Sequence, residues 1–368
     1  MKITVKPFGS YSDGREAKLI TIESAYGKAS FTDYAASVVS VIVPDKQGSM
    51  QDVVLGFDSG AEYQANDGGF GAVCGRFANR LVGSRAKLGG VEYQLDRSHE
   101  LFTLHGGRDG FNKRIWDYET DEKGVTFSLV SPDGDQGFPG NIKVSVRYEF
   151  SDEGVLSMDF CAQSHKDTPL NLTNHAYFNL SGHGSGDAHQ LLQINADFFN
   201  PQAKGQLPTG EVRFVEGTVM DFRNERDVAL ASMSEDEQIK IAGGFDHNFL
   251  LNKTERGALE YAGSLSSSLT GIKMQAYTTM PAMMIYTANG LNKAGKDGAQ
   301  YGPCSAVCME CQNVPDSMRH THFPSPVLKA GKSIMPAQST GLQGNKLSIP
   351  TRHPFNGAFP GEKRAVLS

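Results

Sequence analysis

Short segments in which apolar and polar residues alternate recur along this chain of 368 residues, whereas the 3.6-residue period of an amphipathic helix is scarce. Residues 37–43 are rich in β-branched side chains and end before a proline, and Ile142–Phe150 alternates strictly. Glycine makes up 41 of the 368 residues, or 11%, against a usual ~7%, which favours many tight turns. The pattern predicts an all-β protein.

Turn signals connect several of these segments into hairpins. Gly89-Gly90 separates residues 85–88 from 91–95, and Asp152-Glu153-Gly154 separates Ile142–Phe150 from residues 155–161. The best helix candidate is short: Ser234 to Glu237 form a capping box before residues 238–242, and Gly243-Gly244 ends the helix. With no internal repeat and no clear linker, one large antiparallel β domain fits best.

Charge and cysteine content bear on partners and compartment. The chain carries 35 basic and 41 acidic residues, a net charge of −6, which argues against nucleic acid or an anionic membrane as the main partner. The N-terminal lysines are followed by no apolar run, and no stretch approaches the ~18 apolar residues of a membrane span. Five unevenly spaced cysteines do not suggest a disulfide framework, so we expect a cytoplasmic protein.

Two glycine-rich segments place polar groups beside flexible backbone. Arg76, Asn79 and Arg80 could donate hydrogen bonds to a polyhydroxylated ligand, or could be surface residues. His105 precedes two glycines, which let a ligand approach the backbone closely, and Trp116 could stack on a sugar ring. The alternative for this second segment is a plain turn with a solvated histidine.

Two strand-like segments carry polar residues where a core strand would not need them. In the first, Asn171, Thr173, His175, Tyr177 and Asn179 share one face of the predicted strand, which suits a binding groove better than a core. In the second, residues 306–312 put Cys308, Glu310 and Gln312 on one face and Val307, Met309 and Cys311 on the other. Partial burial would raise the pKa of Glu310 towards that of a useful general base, unless the strand lies at a sheet edge with its glutamate in water.

Other motifs fail on inspection. Cys304, Cys308 and Cys311 lack a second ligand pair at zinc-ribbon or zinc-finger spacing. Residues 290–296 resemble a phosphate-binding loop until Asp297, where a Ser or Thr should bind magnesium, so they are interpreted as a lysine-rich loop.

Taken together, the segments resemble the aldose 1-epimerase (galactose mutarotase) family over residues 30–335. Any one motif is weak, but this many in the family's order are very specific. The matching motifs are GRFANR at 75–80, LHGGRDGF at 104–111, SPDGDQGFPG at 131–140, NLTNHAYFNLSG at 171–182, LPTGE at 207–211, GFDHNFLL at 244–251, YTANG at 286–290 and ECQNVPDSMRHTHFPSPVLKAGK at 310–332. The resemblance implies a large antiparallel β-sandwich with few short helices and a sugar site in an open groove across one sheet.

The resemblance also implies residue roles. His175 matches the family's general acid and Glu310 its general base, which together would interconvert the α and β anomers of free hexoses such as galactose and glucose without a metal or a cofactor. The matching substrate-binding positions are Asn79, Arg80, His105 and Asp246, and Tyr177 shares the predicted face of His175. The expected partner is a monosaccharide, with no nucleic acid or membrane, and the protein is expected to be a monomer or a homodimer.

The chain departs from the family pattern at two places. Met284 stands where family members often have a sugar-contacting glutamine, which bears on sugar preference more than on catalysis. Beyond residue 335 the sequence is rich in Pro and Gly, so we predict a single domain over residues 1–335 and an atypical tail over 336–368.

Three alternatives keep part of this interpretation. A family relative that acts on a hexose phosphate would need a basic cluster, for which Arg76 and Arg80 are the candidates. A non-catalytic sugar-binding protein of the same fold would typically lack the acid or the base. A glycoside hydrolase would need two carboxylates about 5–9.5 Å apart, for which Asp246 and Glu310 are the candidates.

Overall fold

The computed structural model describes residues 1–66 and 69–334 and the backbone of 337–343, and strands dominate it. The first strands are β1 (Lys2–Ser10), β2 (Glu16–Glu23), β3 (Lys28–Thr32), β4 (Ser37–Pro44), β5 (Met50–Asp52), β6 (Val73–Cys74), β7 (Arg80–Val82), β8 (Arg85–Leu88), β9 (Val91–Gln94), β10 (Phe102–Leu104), β11 (Asp117–Thr120), β12 (Gly124–Ser131) and β13 (Ile142–Phe150). They are followed by β14 (Val155–Ser164), β15 (Thr168–Pro169), β16 (Thr173–Asn174), β17 (Tyr177–Phe178), β18 (Leu191–Ile194), β19 (Phe198–Asn200), β20 (Gln202–Ala203), β21 (Leu207–Pro208), β22 (Arg213–Phe214), β23 (Arg226–Asp227) and β24 (Asp246–Leu250). The last are β25 (Glu260–Ser266), β26 (Lys273–Thr278), β27 (Ala282–Tyr286), β28 (Lys293–Ala294), β29 (Gln300–Tyr301), β30 (Val307–Gln312), β31 (Val327–Leu328), β32 (Ser333–Ile334) and β33 (Ala337–Gln343).

Helices in the described residues are few and short. The α-helices are α1 (Gly60–Ala65), α2 (Val228–Ser232) and α3 (Glu237–Ala242), and the 3-10 turns are Phe111–Lys113, Asp135–Gly137, Lys296–Gly298 and Ser317–Arg319. In the part of the chain that the structure describes, no helix has the length and apolar character needed to cross a membrane.

Three antiparallel sheets build the fold. One follows the order β1-β2-β3-β4-β5, and a six-stranded sheet follows β17-β30-β27-β24-β19-β22. The largest follows β11-β12-β13-β14-β33-β26-β25-β18-β23, with β32 also paired to β14. Their inner faces meet in one apolar core, to which Phe31 of β3, Val146 of β13, Phe249 of β24 and Met274 of β26 contribute fully buried side chains. The predicted all-β sandwich is confirmed.

Locally encoded strands form where the sequence predicts them. β4, the β8–β9 hairpin, β13 and β14 match the predicted segments, and Gly243 ends α3 in the left-handed conformation, with φ 70°. The predicted capping residue of α3 is wrong, because the Asp236 carboxylate accepts from the Gln238 N–H at 2.8 Å while the Ser234 hydroxyl accepts from the Asp236 N–H. The helices α1 and α2 were not predicted.

The polar segment at residues 171–180 is not the single strand that its alternation predicts. It forms two short strands on either side of His175: β16 pairs with β6, and β17 pairs with β30 of the six-stranded sheet. The prediction of one shared polar face is therefore wrong. The Asn171 and Asn179 side chains instead donate hydrogen bonds to backbone carbonyls of Ala78 and Ser305, at 3.0 and 2.8 Å.

The strand β33 connects two halves of the largest sheet. It pairs with β14 on one side and with β26 on the other, so sheet pairing continues past residue 335. Residues 335–336 and 344–368 lie outside the described residues, and the division into a domain and a tail stays a prediction.

Candidate active site

A cavity of about 450 Å³ lies over the face of the six-stranded sheet that points away from the core. Along β30, Val307, Met309 and Cys311 pack into the core, because successive strand residues alternate between faces. Glu310 therefore points to the opposite side and into the cavity. The cavity is lined by Gly69, Cys74, Asn79, Arg80, Leu104, His105, Asn112, His175, Tyr177, Gln206, Ala242, Gly243, Asp246, Tyr286, Asn289, Gly290 and Glu310.

All seven residues singled out from the sequence line this one cavity. They come from separate parts of the chain, namely Asn79 and Arg80, His105, His175 and Tyr177, Asp246, and Glu310. Neighbouring strands bring three of them together, because Tyr177, Glu310 and Asp246 lie on β17, β30 and β24, which belong with β27 to one run of the six-stranded sheet.

His175 and Glu310 face each other at the base of the cavity. The His175 Nε2 lies 3.5 Å from the Glu310 Oε1, and both side chains are buried, with 10% and 2% of their surface exposed. The Tyr177 ring stacks on the imidazole at a centroid distance of 4.9 Å. The Glu310 Oε2 is buried and has no hydrogen-bond partner among the described residues, so this carboxylate oxygen is available to a ligand.

Burial controls the ionisation of this pair. It lowers the pKa of His175 to about 4, since an apolar environment disfavours the charged imidazolium. It raises the pKa of Glu310 well above its usual range, with a further contribution from the nearby Asp246 carboxylate, and the Arg80 charge only partly opposes this. Burial therefore favours the uncharged forms of both groups in the empty site, a neutral imidazole beside a protonated carboxyl group.

The opposite wall of the cavity is built by the β7–β10 pair. Leu104 lies opposite Arg80 in this pair, so the residue after Leu104 and the residue before Arg80 come side by side. The Asn79 N–H donates to the His105 Nδ1 at 3.2 Å, which leaves the proton of the neutral imidazole on Nε2. A Cβ on Gly106 would lie 2.0 Å from the Gly75 carbonyl oxygen, so this close approach of two loops requires glycine.

Arg80 is held by acceptors on its cavity side. Its Nη2 donates to the Asp246 Oδ2 at 2.9 Å and to the Gln206 Oε1 at 2.8 Å, and the guanidinium lies over the Phe102 ring. The ion pair is buried, with 8% and 12% of the two side chains exposed. This arrangement fixes a cation and a carboxylate at the edge of the cavity.

The chain is similar in sequence to known proteins over most of its length. The sequence model of the family described as Aldose 1-epimerase matches residues 18–338. The galactose mutarotase of Mus musculus is 37% identical over 336 residues, which cover 90% of this chain and 96% of that protein. This chain belongs to the aldose 1-epimerase family. The aldose 1-epimerase of Escherichia coli K12 is 35% identical over 317 residues, 85% of this chain and 91% of that protein.

Solved structures of the aldose 1-epimerase family share the fold. An aldose epimerase homologue from C. elegans superposes with a TM-score of 0.82 at 28% identity and covers 89% of this chain and 99% of its own. A galactose 1-epimerase from Lactobacillus acidophilus gives 0.81 at 26% identity, over 93% of this chain and 99% of its own. The sandwich implied by the sequence resemblance is thus the fold of this family member.

Asn112, Tyr286 and Gln206 are among the cavity residues that were not singled out from the sequence. Asn112 follows the predicted glycine-rich segment by one residue, and its Oδ1 is buried with no hydrogen-bond partner among the described residues. Tyr286 points to the cavity side of β27, and the alternation of side chains along that strand could have identified it. Gln206 reaches Arg80 from a turn 126 positions away in the chain, and no local pattern reveals that contact.

Two sequence-based interpretations are wrong, because the side chains make contacts elsewhere in the fold. The Arg76 guanidinium is 2% exposed and donates to the Pro139 and Gly140 carbonyls at 2.9 and 2.8 Å, so it joins loops outside the cavity. Trp116 is also 2% exposed and lies in the apolar core. Lys296, at the end of the segment interpreted as a lysine-rich loop, is buried and pairs with Asp52 at 2.6 Å.

Met284 is the residue at which the family resemblance leads to the expectation of a glutamine. It is 1% exposed and does not line the large cavity. It borders a separate space of about 10 Å³, together with Asn79, Asn200 and Asn248. The thioether is thus shielded from the cavity in this family member.

Proposed function

We propose that this protein interconverts the α and β anomers of free hexoses such as galactose and glucose, with Glu310 as the general base and His175 as the general acid. The observation that carries the proposal is the buried pair of Nε2 and Oε1 atoms, 3.5 Å apart, at the base of a cavity lined with hydrogen-bonding groups. Membership of the aldose 1-epimerase family supports the same activity.

The reaction needs one proton removed and another delivered. Glu310 takes the proton from the C1 hydroxyl while His175 protonates the ring oxygen, so the C1–O5 bond breaks and an open-chain aldehyde forms. Rotation about the C1–C2 bond presents the other face of the carbonyl. His175 then takes the proton back from O5 while Glu310 returns its proton to the C1 oxygen, and the ring closes as the other anomer.

Sugar binding sets the starting protonation state of the pair. Hydroxyl groups that donate to the Glu310 carboxylate favour its ionised form, and the displaced proton passes to His175. The imidazolium then faces the ring oxygen. Because the pair holds a single proton throughout, its net charge does not change between the empty site and the sugar complex.

The remaining cavity residues bind and orient the sugar. We assign hydroxyl contacts to Asn79, His105 and the Arg80–Asp246 pair, whose polar atoms border the cavity. The Arg80 guanidinium and the His105 N–H also stabilise charge that develops on oxygen during ring opening. Tyr177 packs against the imidazole and holds its orientation.

The rival functions are each less consistent with the geometry. A phosphate-binding pair is not available, because Arg76 is directed into a cluster of carbonyls and Arg80 is paired with Asp246. A glycoside hydrolase would need Asp246 as a second catalytic carboxylate, but this carboxylate is already paired with Arg80. The acid and the base expected to be lost in a non-catalytic relative are both present and face each other.

We further propose that the protein works in the cytoplasm on a small monosaccharide. None of its five cysteines, all within the described residues, forms a disulfide, which suits a reducing compartment. The cavity of about 450 Å³ has the dimensions of a small-molecule site.

Polarimetry of freshly dissolved α-D-galactose and α-D-glucose tests the proposal. We expect the wild type to accelerate the approach to anomeric equilibrium, and Glu310→Gln and His175→Asn to lose roughly 100- to 10,000-fold of that rate, the usual contribution of a general acid or base. Thermal unfolding accompanies each assay, and Glu310→Gln is expected to unfold no earlier than the wild type because it removes a buried ionisable group.

Matched substitutions at exposed positions serve as controls. Glu119→Gln and His189→Asn make the same chemical changes outside the cavity and should keep the wild-type rate. If folded wild-type protein matched the buffer rate on both sugars, the free-hexose activity would be refuted. If it were active and both cavity variants kept the full rate, the assignment of the acid and the base would be refuted.

A further inference from the structure

A third reactive side chain lies beside the proposed acid–base pair. Cys308 precedes Glu310 by two residues on β30, so both project from the same face of the sheet. The Cys308 Sγ lies 3.5 Å from the His175 Nδ1, and the thiol is fully buried. The proposed reaction makes no use of this sulfur.

One ligand atom each from His175, Cys308 and Glu310 lies within 4.8 Å of the other two. Imidazole nitrogen, thiolate sulfur and carboxylate oxygen are the three donor types that zinc binds in proteins, at about 2.0–2.3 Å and in tetrahedral geometry. Donors on such a tetrahedron are about 3.3–3.8 Å apart by the same bond lengths. Small side-chain rotations that shorten the longest distance between two of these ligand atoms by about 1 Å would place all three at corners of such a tetrahedron.

The surroundings also favour a dication. The Glu310 Oε2 is buried and has no hydrogen-bond partner among the described residues, so this carboxylate has unused acceptor capacity. A thiolate and a carboxylate carry two negative charges, and a doubly charged cation neutralises both without leaving a net charge in the buried site. His175 and Glu310 line the cavity, which provides the route of entry and space for a water molecule as the fourth ligand, while Cys308 is fully buried beside them.

We propose that His175, Cys308 and Glu310 form a binding site for a thiophilic divalent cation such as Zn²⁺, and that the bound ion blocks mutarotation. On binding, the Cys308 thiol and the acid–base pair each release one proton to solvent, and the ion takes their place. The Glu310 carboxylate needed as the base is then engaged as a ligand, and the His175 imidazole that delivers the proton is held by the ion. The inhibitory part of this inference rests on the proposed function, whereas the binding site itself does not.

Cobalt(II) alone, added without sugar, tests the binding site through its visible and near-ultraviolet spectrum. We expect one Co²⁺ per chain in a tetrahedral environment with a thiolate-to-cobalt charge-transfer band, which Zn²⁺ displaces. Cys308→Ser should lose the band, with an affinity loss greater than the ~10- to 100-fold that follows removal of a group supporting a ligand. Cys311→Ser is the matched control, because Cys311 is on the opposite face of the same strand, and it should keep the band.

The activity arm compares each variant with its own metal-free rate. Zn²⁺ should suppress the polarimetric rate of the wild type and of Cys311→Ser in parallel with occupancy, and should leave the rate of Cys308→Ser unaffected. Absence of the charge-transfer band in the wild type, or its persistence in Cys308→Ser, would overturn the site. Equal inhibition of wild type and Cys308→Ser would overturn the proposed block.

The two proposals fail separately. If His175→Asn and Glu310→Gln kept the metal-free rate, the acid–base assignment would be wrong, while a cobalt band confined to the wild type and Cys311→Ser would still support the binding site. Thermal unfolding of every variant without metal excludes misfolding as the reason for a lost band, and His175→Asn provides a second ligand deletion that should also abolish it.

Discussion

At the scale of single residues, burial sets the ionisation of His175 and Glu310. Both side chains have their charged forms disfavoured, so the imidazole resists gaining a proton and the carboxyl group resists losing one. The pair consequently keeps one shared proton over a wide range of pH. An exposed histidine and glutamate would each follow their ordinary titration and would share that state only over a narrow range.

The pH dependence of kcat/KM should report this shared proton. Below the His175 pKa of about 4 both groups are protonated and no base remains, so activity should fall as the pH drops through that value. Above the raised Glu310 pKa the shared proton is lost and no acid remains, so activity should fall again. The two limbs belong to the pair rather than to either residue.

Initial mutarotation rates at low galactose concentration, corrected for the buffer rate at each pH, give this profile. We expect a plateau that begins near pH 4 and extends well past the ordinary carboxyl range. A single limb with its midpoint near 6.5, the ordinary histidine value, would contradict it. Glu119→Gln, whose change lies outside the cavity, should reproduce the wild-type profile.

At the scale of secondary-structure elements, a buried carboxyl group connects the two walls of the cavity. Asp316 follows β30 in a left-handed conformation with φ 57°, and its N–H donates to the Arg80 carbonyl at 3.0 Å. Its Oδ1 accepts from the Val82 N–H at 3.1 Å, so one residue binds both ends of β7. Burial raises the pKa of this carboxyl group to about 7.

Asp316 does not line the cavity, but its replacement should still change the cavity through β7. In Asp316→Ala the Val82 N–H loses its acceptor, at a cost of about 1–3 kcal/mol in the free energy of unfolding. A shift of β7 would move Arg80, and a displacement of ~1 Å can lower kcat/KM by as much as ~100-fold. Asp316→Asn keeps an acceptor and tolerates the left-handed backbone, so it should stay close to the wild type near pH 6.

The stability of Asp316→Asn and that of the wild type should also depend differently on pH. Because the folded-state pKa of Asp316 is raised to about 7, this carboxyl group ionises first in the unfolded chain, so the stability of the wild type falls as the pH rises from the ordinary aspartate pKa to about 7 and changes little above it. Asp316→Asn lacks this penalty, and its melting temperature relative to the wild type should rise between pH 5 and pH 8. Equal stability and activity of Asp316→Ala and the wild type would show that β7 is held by other contacts.

The elements also show which parts of the molecule could be predicted from sequence. β4, β13 and the β8–β9 hairpin follow from alternation and turn residues, which are local properties. The partners of Arg76 are not local, since carbonyls about 55 to 64 positions away surround it. The break in the strand at His175 is likewise set by its neighbours, because β16 and β17 pair with different sheets.

The candidate site was found through motifs rather than through periodicity. Alternation along β30 correctly separates Glu310 from the core-facing residues, and this much follows from residue order alone. That Glu310 meets His175, or that Gln206 meets Arg80, depends on how distant strands are arranged. The resemblance to family motifs supplied that information, and the contacts of Gln206 had no counterpart in it.

At the scale of the whole molecule, the largest sheet depends on its last described strand. β33 supplies the backbone partner for the free sides of both β14 and β26, with five residue pairs on one side and six on the other. Without it, two central strands would become edges. Exposed edges of this kind promote aggregation.

Two truncated chains test this dependence. A chain ending at residue 343 keeps every described strand, and we expect it to retain the wild-type melting temperature and mutarotation rate. A chain ending at residue 334 lacks β33, and we expect it to be aggregated or unfolded by size-exclusion chromatography and circular dichroism. A monomeric 1–334 chain that unfolds at the wild-type temperature would show that β33 does not hold the sheet together.

The position of β33 has a consequence for how the protein is made. Its partner β14 is synthesised about 180 residues earlier, so the ribosome releases half of the sheet long before the strand that completes it. During that interval the edge of β14 is exposed in the cell, and the gap in sequence makes the closing step slow. We therefore expect the chain to be most prone to aggregation in the interval between the synthesis of β14 and that of β33.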